Sequence, residues 1–165
     1  MYSLIEFVKQ QAYYYQTPKS LTYFWNFGSL ALFALVIQFI TGIFLTFWYI
    51  PNILEAFNSV EFIMREVRQG WFIRYLHANG ASFFFLAVYC HVFKNIYSLS
   101  FTEERKWTWL SGLVILLAMI FTAFLGYVLP WGQMSFWAAT VITSLVSVIP
   151  VIGNDILIYL WGGYG

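Results

Sequence analysis

The stretch Arg74-Tyr-Leu-His77-Ala-Asn-Gly80-Ala-Ser-Phe-Phe-Phe-Leu-Ala-Val-Tyr-Cys90-His91-Val-Phe-Lys94 decides how this chain is read. Nineteen residues without Asp, Glu, Lys or Arg separate its two cations, about the length of helix that crosses a bilayer. Both histidines of the chain lie inside it, fourteen positions apart. Fourteen residues of α-helix rotate by about 1400°, close to four turns, and rise roughly 21 Å, so the imidazoles share one face at two depths. Ionisable groups inside a membrane are costly. Two in phase, with no acid on the same helix, point to a metal centre rather than a proton relay.

The fourteen-residue interval recurs on either side, between Gly28 and Gly42 and between Gly112 and Gly126. Two flat metal macrocycles, one at each depth, account for all three pairs. Histidines supply ligands, and a helix lets a porphyrin approach closely only where it carries no side chain. Close packing of small residues explains any one of these glycines as well; their matched spacing favours the plate. Cys90 is the only cysteine, so neither an internal disulfide nor attachment through a C-x-x-C-H motif is available, and the haems are read as b-type. Arg74 precedes His77 by three residues and Lys94 follows His91 by three. Each cation would either pair with a haem propionate or snorkel to the interface. Asn79, Gly80, Ala81 and Ser82 read as a small-residue seam and Cys90 as a buried thiol, with no chemistry assigned.

Charged residues make up only 9% of the chain and hydrophobic ones 61%, which sets it in a membrane. Uncharged runs also separate Lys19 from Glu55 and Lys106 from Asp155. The expected fold is an all-α membrane protein in one domain, 1–165. Three transmembrane helices of a haem-binding bundle are expected at about 23–49, 71–97 and 107–129, with Pro51 and Pro130 closing the first and third. Leu54, Phe57, Val60, Met64 and Val67 recur at helical spacing and predict an amphipathic surface helix at about 52–69. Between Pro130 and Pro150 composition alone would allow a span. Thr140, Thr143, Ser144 and Ser147 form a hydroxyl stripe, however, and predict an interfacial hairpin over about 134–161.

A net charge of +1 argues against nucleic acid as a partner. Residues 1–20 carry neither a cleavable apolar core nor an Arg-rich transit pattern, so the chain is read as bacterial or made inside an organelle. Five cations, Lys9, Lys19, Lys94, Arg105 and Lys106, lie on one side of the expected bundle, and Arg65, Arg68 and Arg74 on the other. That bias puts the N-terminus on the electrically negative side. His77, with Gly42 and Gly126, then lies towards the positive side; His91, with Gly28 and Gly112, lies towards the negative.

Three segments resemble the cytochrome b subunit of the respiratory quinol:cytochrome c oxidoreductase. They are Trp25-Asn-Phe-Gly-Ser-Leu30, Arg74-Tyr-Leu-His-Ala-Asn-Gly-Ala-Ser82 and Gly126-Tyr-Val-Leu-Pro-Trp-Gly-Gln-Met-Ser-Phe-Trp137, with Ile149-Pro150 and Trp161-Gly-Gly163 extending the likeness. The resemblance implies a low-potential haem on His77, a high-potential haem on His91 and electron transfer between two quinone sites. It implies a positive-side quinol pocket of Phe124, Tyr127, Gly132, Met134, Trp137, Ala138 and Ile142. Trp25, Asn26 and Ser29 would belong to the negative-side quinone and haem region, Trp109 would lie near the second haem, and Gln38 would join the cofactor contacts. A Rieske iron–sulfur protein, a membrane-bound c-type cytochrome and a dimeric complex are the implied partners. The mitochondrial inner membrane is the implied location, or a bacterial plasma membrane.

Departures from that family matter equally. Ala138 replaces a usual glycine, implying low sensitivity to strobilurin-type inhibitors, and Lys94 replaces a bidentate arginine with a point charge. Phe93 and Asn95 stand where small residues are usual, so the negative-side haem would be held differently. A plastid-type relative would carry cysteine at Asn26. The sequence ends before the family's fourth helix, which carries the other two histidines, and two histidines at different depths do not make two bis-histidine sites. The expectation is a divided cytochrome b whose second polypeptide supplies those ligands. A haem-free structural subunit with the same fold, and a truncated product, are the alternatives.

Overall fold

The structure is a computed structural model and describes residues 3–14, 19, 21–102 and 105–163. Among these residues there is helix and no strand. The order is α1 (Leu4–Ala12), a 3-10 turn (Tyr23–Asn26), α2 (Phe27–Thr46), α3 (Ala56–Arg65), α4 (Gly70–Tyr97), α5 (Lys106–Val128), α6 (Gln133–Ser144), a second 3-10 turn (Leu145–Val148) and α7 (Gly153–Trp161). Three helical segments, Tyr23–Thr46, Gly70–Tyr97 and Lys106–Val128, are long and apolar enough to cross a membrane. These are the three spans expected from the uncharged runs. Of the charged turn before α5, Glu103 and Glu104 lie outside the described residues.

Helix α1 starts on a capping box. Ser3 Oγ accepts from the Glu6 amide at 3.2 Å, and the Glu6 carboxylate accepts from the Ser3 amide at 3.3 Å, satisfying two of the donors that a helix start leaves open. Helix α3 is the amphipathic surface segment, shorter than expected. Its apolar face holds Ile63, only 2% exposed, and its Ser59 hydroxyl accepts the Ile50 amide at 3.2 Å. The Arg65–Glu61 pair at 2.7 Å is exposed and contributes little. Between α3 and α4 the chain reverses through Gln69 in the left-handed region, φ 62°. The next residue, Gly70, lies so close to the Ile63 carbonyl that a Cβ would collide with it. Only glycine permits that approach.

Helices α2 and α4 form the core pair. Ala34, Phe84 and Val88 are buried between them, with Ala31, Leu35, Phe85 and Val92 around. Small Ala34 lets the Phe84 ring fill the gap. Helix α4 has 28 residues, about 42 Å, against roughly 30 Å of hydrocarbon. The twenty steps from Arg74 to Lys94 rise about 30 Å, the same length as that layer, and each histidine lies one turn inside its cation.

Helix α5 stands apart. None of its residues is buried, and it meets the core cluster through Leu116 and Met119. At its end the Tyr49 hydroxyl donates to the Leu129 carbonyl at 2.7 Å. Ser135 Oγ donates to the Tyr127 carbonyl at 2.9 Å, folding α6 back against α5. Trp161 Nε1 donates to Thr143 Oγ1 at 3.0 Å and closes the α6–α7 hairpin. In the hydroxyl stripe Thr140, Thr143, Ser144 and Ser147 donate to the carbonyls of Phe136, Ala139, Val141 and Ser144. These bonds satisfy the hydroxyls within their own helix.

Candidate cofactor site along the first and second spanning helices

The imidazole of His77 is held by the face of α2 that carries Thr41 and Gly42. Thr41, 6% exposed, lies with Oγ1 2.8 Å from His77 Nδ1. Its single proton goes to the Ile37 carbonyl at 2.7 Å, so its oxygen accepts and Nδ1 donates. The tautomer with its proton on Nδ1 is the one that satisfies both contacts, and it leaves the Nε2 lone pair for a metal. A Cβ on Gly42 would lie 3.2 Å from Cε1 of the ring. Gln38, one turn earlier, presents its amide to the main chain of α4 at His77 and Ala81.

His91 is held otherwise. A Cβ on Gly28 would lie 2.9 Å from Cε1 and 3.0 Å from Nδ1. Asn95 Nδ2 lies 3.2 Å from His91 Nε2, and Asn95 Oδ1 accepts from Lys94 Nζ at 3.2 Å. With its oxygen so engaged, Asn95 donates to Nε2, the nitrogen a metal would need. Lys94 Nζ stands 4.1 Å from the Trp25 ring centroid, within cation–π range. The ammonium expected at a propionate is thus stacked on the tryptophan and bonded to Asn95.

The glycine pairs divide. Those of α2 face imidazole edges, whereas around Gly112 and Gly126 of α5 a Cβ would meet nothing within 4 Å. On α2 the glycines make room for the two imidazoles, and on α5 the described residues leave both glycines uncovered. An imidazole with a free Nε2 could hold the iron of a porphyrin. His77 meets that condition directly, and His91 once Asn95 turns away.

The remaining candidates are scattered more loosely. Ser29 Oγ donates to the Asn26 carbonyl at 2.9 Å, a local contact at the start of α2. Trp109 packs against Phe101 at 6.0 Å between centroids, and Arg74 lies half-buried on α4. Phe124 and Tyr127 lie on α5, Gly132 caps α6, and Met134, Trp137, Ala138 and Ile142 lie on α6. They gather at one corner of the chain, where Met134 and Trp137 are 75% and 59% exposed, an open surface rather than an enclosed slot. Gly132 packs there against the Phe57 ring, 3.4 Å from where its Cβ would be. A groove of about 280 Å³ between α2 and α4 is lined by Phe33, Ala34, Ile37, Gln38, Leu76, Asn79, Gly80 and Phe83. Sequence reading missed Thr41 and the contact role of Gly80. The available signal was helical spacing, Thr41 three residues from Gln38 and Gly80 three from His77.

Residues 12–165 match the family model described as Cytochrome b/b6/petB. A cytochrome b of Acanthamoeba castellanii is 58% identical over 163 residues, covering 99% of this chain and 42% of that protein. One of Solanum tuberosum is 59% identical over 150 residues, 91% of this chain and 38% of that protein. Among solved structures, a chain of a hyperthermophilic respiratory complex III superposes with a TM-score of 0.88 at 38% identity, covering 98% of this chain and 44% of that one. The chain thus spans about two fifths of the length of the relatives it matches.

Proposed function

The chain belongs to the cytochrome b/b6 family, and from that premise we propose that it carries electrons across a membrane between quinol and quinone through two b-type haems. It would do so as part of a dimeric quinol:cytochrome c oxidoreductase, alongside a Rieske iron–sulfur protein and a membrane-bound c-type cytochrome. His77 supplies one axial nitrogen on the positive side and His91 one on the negative side. The second imidazole at each depth comes from sequence outside residues 1–165, on this polypeptide or on another. The relatives in a plant and an amoeba favour the mitochondrial inner membrane; a bacterial plasma membrane is the alternative.

The observation that carries the reading is the Thr41–His77 bond, because a hydroxyl that accepts from Nδ1 leaves Nε2 unprotonated. When bound, a b-type haem supplies a one-electron iron couple. The chain's own residues do the rest. Thr41 orients one imidazole, Gly28 and Gly42 admit the two rings, and Gly112 and Gly126 leave two positions of α5 without a side chain. The two ligands are separated by roughly 21 Å of helical rise, which spans most of an insulating layer. Phe124, Tyr127, Gly132, Met134, Trp137, Ala138 and Ile142 form one wall of a positive-side quinol pocket. Trp25, Asn26 and Ser29 border the negative-side site.

A second reading, a haem-free structural subunit, is favoured by one feature only, the Asn95 amide on His91 Nε2. The native complex decides between them. Its dithionite-reduced spectrum, pyridine haemochrome and intact subunit masses are expected to give two b haems per copy of residues 1–165. Absence of b haem would overturn both ligand assignments. The masses also tell whether the missing imidazoles lie on the same polypeptide.

A further inference from the structure

We propose that Gln38 is a positioning residue for the ligand His77, acting on the main chain of α4 rather than on a cofactor; the inference rests on His77 being an axial ligand. With its amide oriented by its partners, Nε2 donates to the His77 carbonyl at 3.1 Å and Oε1 accepts from the Ala81 amide at 3.1 Å. Those two groups are each other's partners in a regular helix, four residues apart. The glutamine therefore adds a second bond to both, using the spare lone pair of the carbonyl and sharing the N–H.

Approach that close to a helix backbone needs a gap in its side chains. Gly80 provides the gap, since a Cβ there would run into the end of the Gln38 amide. The groove around the amide is otherwise mostly apolar, with Phe33, Ile37, Leu76 and Phe83. An amide in such surroundings is costly unless both its ends are bonded, so it is pinned to this one turn of α4. Gln38, Thr41 and Gly42 follow at helical spacing and hold three parts of one residue: its peptide, its ring nitrogen and its ring edge. Sliding or rotating α4 against α2 breaks all three.

The hold is specific to one depth. Fourteen positions back from Gln38, Thr41 and Gly42 stand Phe24, Phe27 and Gly28. Only the glycine repeats, and the polar pair is replaced by two phenylalanines. Fourteen positions on from Gly80 and Ala81 stand Lys94 and Asn95, so α4 has no bare turn beside His91. The negative-side ligand serves as an internal control.

The test uses the native membrane complex with Gln38→Met, which keeps the length and loses both bonds, and with Gly80→Ala, which keeps the amide and displaces it. Low-field EPR signals of the oxidised haems are recorded, with the positive-side signal assigned by its loss in His77→Ala, and haem retention is followed on detergent dilution. Both variants are expected to move the positive-side signal and to shed that haem about tenfold faster, with the negative-side signal unchanged. An unmoved signal in whichever variant assembles overturns the positioning role, as does an equal shift of both signals. A wild-type complex without b haem sinks the functional reading itself, a separable failure.

Discussion

Thr41 Oγ1 stands 2.8 Å from Nδ1 of His77 and 2.7 Å from the Ile37 carbonyl, an arrangement in which the threonine donates to the carbonyl and accepts from the ring. The bond joins two helices at a residue pair thirty-six positions apart and selects one tautomer of the imidazole. Removing the hydroxyl leaves the ring free to turn and to place its proton on either nitrogen. In Thr41→Val complexes the positive-side haem is expected at about tenfold lower affinity, with the negative-side haem retained. Thr41→Ser is expected to keep it. Haem stoichiometry by pyridine haemochrome, resolved by redox titration, reads both, and equal retention in the valine variant sinks the assignment.

Asn95 makes the opposite prediction at the other depth. Its Nδ2 occupies His91 Nε2 at 3.2 Å, a contact that a coordinated metal would exclude. Asn95→Ala releases that nitrogen without introducing a helix-weakening glycine. Occupancy of the negative-side haem is expected to rise, or its loss in detergent to slow several-fold, while the positive-side haem stays as it was. A fall in occupancy would assign Asn95 to holding the haem instead.

The four glycines separate into two behaviours. A Cβ on Gly28 or Gly42 meets an imidazole at 2.9 or 3.2 Å, so Gly28→Ala and Gly42→Ala are expected to cost about 1–3 kcal/mol by overpacking, with or without cofactor. Nothing lies within 4 Å of a Cβ on Gly112 or Gly126. Gly112→Ala and Gly126→Ala should leave the haem-free protein as stable as before and lower only haem content. Thermal unfolding of haem-free and haem-loaded preparations tests the split, which fails if all four substitutions act alike.

Tyr49 ties the end of α2 to the end of α5 through the Leu129 carbonyl, 2.7 Å away. Burial pushes the phenol up from its ordinary 10.0, so the folded protein holds this proton more tightly than the unfolded chain. The stabilisation is complete below the ordinary tyrosine range and is lost as pH rises through the higher folded value. Tyr49→Phe is expected to lower stability by about 1 kcal/mol at neutral pH, and the difference from wild type should shrink in strongly alkaline solution. A difference that stays constant with pH would rule out the phenol proton as its source.

Much of the architecture was legible because the sequence carries it in forms local to one helix. The uncharged runs mark the spans since no charge is tolerated in hydrocarbon, and the interval between His77 and His91 is a property of α4 alone. The surface helix was legible from the spacing of Phe57, Val60 and Met64, although it ends at Arg65 and its neighbours continue in turns. The hydroxyl stripe was visible, but its bonding was not. Thr143 and Ser147 donate to the carbonyls of Ala139 and Ser144, partners that no polarity pattern names.

By itself the sequence determined three membrane-length helices and a histidine pair in phase on the second, because hydrophobic length and helical period need no neighbour. Tertiary structure alone decided how those imidazoles are held. Whether Gly42 meets an imidazole and Gly126 meets open space depends on how α2 and α5 are rotated and set against α4. The roles of Gln38, Thr41 and Asn95 depend on which backbone or ring nitrogen that rotation brings within hydrogen-bond reach. Periodicity specifies a face; the partner across from it is specified only when two faces pack.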